Sequence, residues 1–132
     1  ISTFGQSSKN ALDLLVDEVN AKGGINGRKV KIYLEDDENK PANSANAIQK
    51  LINNDKVVAV IGSVSSKCTI AAAPIATQNK IPLITSASTN PKVTTVGGEY
   101  VFRACFIDPF QGTVIAKFAV EDLKAKTAAV MY

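Results

Sequence analysis

The segment GSVSSKCT, residues 62–69, gathers hydroxyls at Ser63, Ser65, Ser66 and Thr69 around one lysine and one thiol. A second cluster, TSASTN, occupies residues 85–90. Neutral hydroxyls at this density can donate and accept hydrogen bonds, and their small side chains let the main-chain atoms of a ligand come close. They lack the partners needed for bond-making chemistry. The chain contains no histidine, so the usual serine triad and the commonest metal ligand are both missing. No paired carboxylates with an accompanying base indicate hydrolysis. The expected chemistry is therefore reversible binding, with no cofactor, no metal and no covalent step.

Two phosphate-type readings compete with this. GSVSSKCT weakly resembles a phosphate-binding loop, but Ser66 stands at the second glycine position and Cys68 follows the lysine where Ser or Thr is required. Asp36-Asp37 at a strand end could hold magnesium or accept a phosphoryl group, as in receiver domains. The bland alternative, a turn on the solvent side, is preferred. For the hydroxyl clusters the bland alternative is that serines after a strand act as caps and turn formers.

The elements around these clusters set where they lie. Residues 7–22 carry Ala11, Leu14, Leu15, Val19 and Ala21 near one helical stripe, with Ser7 or Ser8 as N-cap and Gly23-Gly24 as the stop. VKIYLED, 30–36, has the β-branched and aromatic content of a strand. Pro41 opens a helix over roughly 41–54, with Ala45, Ile48, Leu51 and Ile52 inward. VVAVIG, 57–62, is continuously apolar, as in a strand covered on both faces. An alanine-rich helix over 66–79 follows, then a strand and exit loop in IPLITSAS, 81–88. Residues 93–104 mix turns with a short extended piece, a helix covers 109–124, and TAAVMY ends as a strand. Helices alternating with strands predict an α/β fold with a mostly parallel sheet and helices on both faces, three αβα layers in one domain. In such sheets ligands bind beyond the carboxyl ends of the strands. Both hydroxyl clusters leave such ends, so they belong on one edge. One of them starts a helix, whose free N–H groups and dipole favour a carboxylate. Ser66 and Thr89 can add side-chain donors and acceptors there.

Composition narrows the partners. The 132 residues carry 15 basic and 12 acidic side chains in no basic block, so no nucleic-acid partner is expected. No apolar run approaches the ~20 residues of a membrane span. Cys68 and Cys105 form no CxxC pair; two buried thiols are expected, with a disulfide between them left open.

The stretch EVNAKGGINGRKVKIYLEDDENKPANSANAIQKLINNDKVVAVIGSVSS, 18–66, resembles the first lobe of the branched-chain amino-acid (Leu/Ile/Val) binding proteins, the type I periplasmic solute receptors of ABC importers. IPLITSASTNPKVT, YVFRACFIDPFQG and AAVMY extend the resemblance over essentially the whole chain. It implies a two-lobed clamp that closes on an amino acid or similar solute and delivers it to permease subunits. The parent would be periplasmic, or an extracellular membrane-anchored lipoprotein, with a signal peptide in its precursor. Residues 1–132 would form one ligand-binding lobe of it. The matching positions assign Ser66 to the ligand's α-carboxylate or ammonium, Ala87 to a backbone carbonyl contact and Thr89 to a hydroxyl contact. Ser65 and Ser88 flank these, and Phe4, in an aromatic-glycine loop with Gly5, would cover the solute's side chain. Lys67 either points to solvent or selects an additional acid on the ligand. A disulfide found in some members would fall at Asn39 and Ser65, so that bridge is absent.

The resemblance also implies that the lobe's first strand is not in this chain, which starts inside the loop ISTFGQS, and that AAVMY leads to an absent second lobe. Residues 30–36 and 57–62 would then lack their common neighbour. The chain is expected to adapt by pairing as a homodimer through exposed strand edges, or by closing VKIYLED directly onto VVAVIG. A ligand sensor of the same architecture, uncoupled from transport, is the rival to an importer component.

Overall fold

A computed structural model describes residues 2–131. Helix α1 spans Ser2–Ala21 and α2 spans Pro41–Asn53. Strand β1 is Val60–Ile61, followed by α3, Ser66–Gln78. Strand β2 is Leu83–Thr85, α4 is Lys92–Thr95 and β3 is Val101–Arg103. Helix α5, Asp108–Lys117, runs into a π-turn at Phe118–Asp122.

The α/β class with a parallel sheet is as the sequence indicates. The strands lie in the order β1-β2-β3, all parallel, with Val60 beside Leu83 and Leu83 beside Val101. Side chains alternate faces along a strand. The row Val60, Leu83, Val101 turns inward onto α2, α3 and α4, where Ile48, Ile52, Ala72, Ala73, Ala76 and Val93 complete the core. The alanines of α3 let α2 approach closely, and the Ser44 hydroxyl donates to the Cys68 carbonyl across that contact at 3.0 Å. The next row, Ile61, Ile84 and Phe102, is exposed. No described residue of α1 or α5 is buried.

Several expectations need correction. Residues 30–36 and 127–131 form no strand; Tyr132, the end of the expected last strand, lies outside the described residues, as does Ile1. A strand exists only through hydrogen bonds to a neighbour, and β-branched content alone does not supply one. Residues 30–36 do not close onto β1 either. They are tethered instead by Asn20, whose amide donates to Val30 O at 2.8 Å and accepts from Val30 N at 2.7 Å. Within 57–62 only Val60–Ile61 pairs, and Val58 is 83% exposed, so this strand is not covered on both faces. Helix α1 begins at Ser2, which places Ser7 and Ser8 inside it and excludes them as caps. Once nucleated, a helix gains a hydrogen bond per added residue, which outweighs the ~1 kcal/mol or less that serine or glycine costs. For the same reason Phe4-Gly5 is helical and not a loop. The stop at Gly23-Gly24 is as expected: both have positive φ, and the chain reverses through Asn26-Gly27, φ 51° and 77°, in a two-residue hairpin turn closed by Ile25 and Arg28.

Candidate functional site

The carboxyl ends of β1 and β2 lie side by side, and the chain leaves both on the same edge. From β1 it passes through Gly62, Ser63, Val64 and Ser65 into α3; from β2 it passes through residues 86–90 towards α4. The two loops are bonded to each other. The Thr85 hydroxyl donates to Ser63 O at 2.9 Å, and the Ser88 hydroxyl donates to the same carbonyl at 2.9 Å. The Thr69 hydroxyl lies 2.7 Å from Ser88 Oγ and 3.1 Å from Ser63 O, and accepts from Ser63 N at 3.1 Å. Thr85 Oγ1 in turn accepts from Ser88 N at 3.1 Å. Thr69, Thr85 and Ser88 are fully buried, so these bonds form in a low-dielectric interior where an unmade one is costly.

This network sorts the predicted site residues. Ser88 faces the interior, with its hydroxyl engaged by the protein. Ser66 and Thr89 are adjacent across the two loops, since Asn90 N donates to Ser66 Oγ at 3.3 Å. Accepting that bond leaves the Ser66 proton free to donate outward. Among the described residues the Thr89 hydroxyl has no hydrogen-bond partner. Ser65 precedes α3, and its carbonyl accepts from Cys68 N and Thr69 N. Those bonds leave the N–H groups of Ser66 and Lys67, in the first turn of a 13-residue helix, without an internal acceptor. Phe4, Val64, Ser65 and Ala87 line an open hollow of about 230 Å³ on this edge. Phe4 is 65% exposed and reaches it from α1. Lys67 is exposed and makes no ion pair among the described residues.

Other sequence candidates lie elsewhere or are occupied. Asp36 and Asp37 accept from Glu38 N and Asn39 N, both at 2.9 Å, which makes them turn formers. Among the described residues no cluster of His, Cys, Asp and Glu could hold a metal ion. Both cysteines are free thiols; Cys68 is buried, whereas Cys105 is only half-buried, contrary to expectation. Burial pushes the Cys68 thiol above its ordinary pKa, and the negative charge of Asp37 adds to the effect. A second hollow of about 220 Å³, lined by Glu35, Asp36, Asn43, Asn46, Ala47 and Lys50, contains none of the predicted site residues. There Lys50 is ion-paired to Glu35, which holds its ammonium above the ordinary pKa.

A family model described as periplasmic binding protein matches residues 1–132. The chain belongs to this family. It is a family of solute-binding proteins and not of enzymes, and membership implies a periplasmic or extracellular location. An amino acid binding protein of Pseudomonas aeruginosa is 37% identical over 131 residues, covering 99% of this chain and 35% of that protein. The branched-chain amino acid transporter substrate-binding protein LivJ of Streptococcus pneumoniae, solved in complex with isoleucine, superposes with a TM-score of 0.88 at 36% identity, over 93% of this chain and 35% of that one. The leucine-binding protein LivK of Thermotoga maritima gives 0.72 at 45% identity, over 82% and 31%. The chain thus spans about a third of the length of these relatives. Among the described residues no helix is long and apolar enough to cross a membrane.

Sequence reasoning weighed ligand binding against capping and turn formation for the hydroxyl clusters and missed the buried cross-links between the two loops. Thr85 carries a signal: it is two residues from Leu83 on a strand and therefore inward. Arg103, in phase with buried Val101, carries the same signal and was also missed.

Proposed function

We propose that this chain is one ligand-holding lobe of a two-lobed receptor that captures an amino acid or a similar small solute for an ABC importer. The observation that supports it is that free donors at Ser66 and Thr89 lie on the same carboxyl edge of the sheet as an open hollow lined by Phe4, Val64, Ser65 and Ala87. Helix α3 offers the N–H groups of Ser66 and Lys67 and the Ser66 hydroxyl to a carboxylate, aided by its dipole. Ala87 O and the Thr89 hydroxyl, on the facing loop, accept from the ammonium. Ser65 and Phe4 wall the hollow, and the apolar ring of Phe4 lies against the solute's side chain. Ser88 acts from beneath, holding the two loops together. The hollow, about 230 Å³ and open, is smaller than the ~300–1,000 Å³ of complete small-molecule pockets. A second lobe closing over it would complete the enclosure. The closed form would be what permease subunits recognise, with the parent free in the periplasm or lipid-anchored outside the cell.

On its own the chain pairs with a second copy. Its accessible surface is 9263 Å², against ~6,700 Å² expected for a compact monomer of this mass. The excess lies on the bare row Ile61, Ile84 and Phe102, the free edge of β1, and the apolar side chains of α1 and α5.

Titration calorimetry of the longer receptor carrying this lobe, against each of the twenty amino acids, tests the capture role. Hydrogen bonds to a charged head group contribute about 1.5–3 kcal/mol each. Ser66→Ala and Thr89→Ala should each weaken binding by about ten- to a hundredfold. Unchanged affinity in both variants would overturn the assignment.

A further inference from the structure

We propose that Arg103 is a positioning residue for the ligand-binding loop, acting from the inner face of β3 on the backbone that carries Thr89. The Arg103 guanidinium donates from Nη1 to Ser88 O at 2.9 Å and to Asn90 O at 2.7 Å, and from Nη2 to Thr94 Oγ1 at 3.0 Å. These two carbonyls flank Thr89. The carbonyl between them, Thr89 O, accepts from Asp108 N at 3.1 Å. Three consecutive carbonyls of an irregular loop are therefore held, two of them by donors from one side chain.

Among the described residues Ser88 O has no other hydrogen-bond partner, whereas Asn90 O also accepts from Val93 N at 3.1 Å. Residues 86–90 form no helix or strand, so buried Ser88 has no ladder to supply the partner its carbonyl needs. No carboxylate pairs with Arg103 among the described residues, which leaves its donors to the backbone and Thr94. The planar fork suits this arrangement: it spans separated acceptors in one plane, whereas an ammonium is a point donor on a flexible stem. Arg103 also ties the loop to α4 through Thr94, and Asn90 N in turn reaches Ser66 Oγ at 3.3 Å. The guanidinium thus sets the position of Thr89 directly and the partner of Ser66 through one further bond, without touching the hollow itself.

The inference rests on the proposed capture role for its effect on affinity, and on geometry alone for its effect on the loop. Amide hydrogen exchange on this chain reads the second. In Arg103→Lys, exchange at Asn90 and Asp108 should quicken by about tenfold, the loss of one charged hydrogen bond. Exchange at Leu83, in the sheet core, should stay as in the parent sequence. Thr94→Val, which removes one of the three contacts and leaves the charge in place, should quicken the same amides by less and serves if Arg103→Lys does not fold. Unchanged exchange at Asn90 in the variants that fold overturns the proposal, and so does equal quickening at Leu83, which would mean plain destabilisation. In the longer receptor, calorimetry with L-leucine and L-isoleucine should show Arg103→Lys binding about tenfold more weakly. A loosened loop with unchanged affinity, alongside a weakened Ser66→Ala variant, would overturn the positioning role while leaving the capture role standing. Unchanged affinity in Ser66→Ala and Thr89→Ala as well would overturn the capture role.

Discussion

Replacing Thr85 by valine isolates the bond network that joins the two loops. Valine preserves the shape of the side chain and removes only its hydroxyl, at a residue with no exposed surface. Two consequences follow. Ser63 O loses a hydroxyl donor, at 2.9 Å, and keeps the one from Ser88. Ser88 N, buried, loses the acceptor it had at 3.1 Å. A typical net hydrogen bond contributes about 1 kcal/mol, and a buried donor left unmade costs about 1–3 kcal/mol. The added methyl recovers up to ~0.8 kcal/mol of transfer free energy where it fits. The expected loss is therefore about 2 kcal/mol. For a chain of 132 residues each kcal/mol lowers the melting temperature by about 4 °C, so the shift is about 8 °C. Thermal and urea unfolding followed by circular dichroism measure it. Thr95→Val, at an exposed position of α4, should stay within about 0.5 kcal/mol and serves as control. In a double-mutant cycle with Ser88→Ala, which removes another donor to Ser63 O, the coupling should exceed about 0.5 kcal/mol. A Thr85→Val loss no larger than the control, or strict additivity with Ser88→Ala, would refute a shared network and return these hydroxyls to independent roles.

Two further outcomes follow from burial. Iodoacetamide at pH 8 should modify half-buried Cys105 readily and spare Cys68, which is 0% exposed and held protonated by burial and by Asp37; mass spectrometry of the peptides reads this, and equal labelling of the folded protein would contradict it. Because the folded Cys68 pKa lies above the unfolded value, its contribution is fully present below the thiol's ordinary pKa of about 8.5 and is lost as pH rises through the folded value. Stability measured in a Cys105→Ser background should therefore decline above about pH 8.5, and a flat profile would argue against burial of that thiol. Light scattering should show the chain self-associating with rising concentration, and Val58→Lys, a charge at the unpaired end of the β1 region, should shift it towards monomer; a monomer at all concentrations would remove the second copy from the bare sheet face.

What could be deduced from sequence divides along the range of the forces involved. Helices α2 and α3 begin where the sequence indicates, at Pro41 and Ser66, because proline at a first position, propensity and the 3.6-residue stripe act within a few positions. Strands depend on partners that may be distant in the chain. VKIYLED has the composition of a strand yet joins no ladder, and VVAVIG supplies only Val60–Ile61 to one. The placement of the two hydroxyl loops on one edge was legible because it follows from parallel topology, in which consecutive strands share a carboxyl end. The division of labour among the hydroxyls was not, because serine and threonine cap, cross-link and bind ligands with the same atoms. Phase resolves part of it: Thr85 follows Leu83 by two residues and must face inward, as Arg103 must after Val101. Two of the residues that hold the loops in shape, Thr85 and Arg103, thus occupy inward strand positions. The hydroxyls assigned to the proposed solute, those of Ser66 and Thr89, lie past the regular elements or at the first turn of one. A polar side chain in phase with a strand's core row therefore belongs to the scaffold. Past the strand end the same side chain can do either: Ser88 is buried and bonds Ser63 O, whereas the Thr89 hydroxyl has no partner among the described residues.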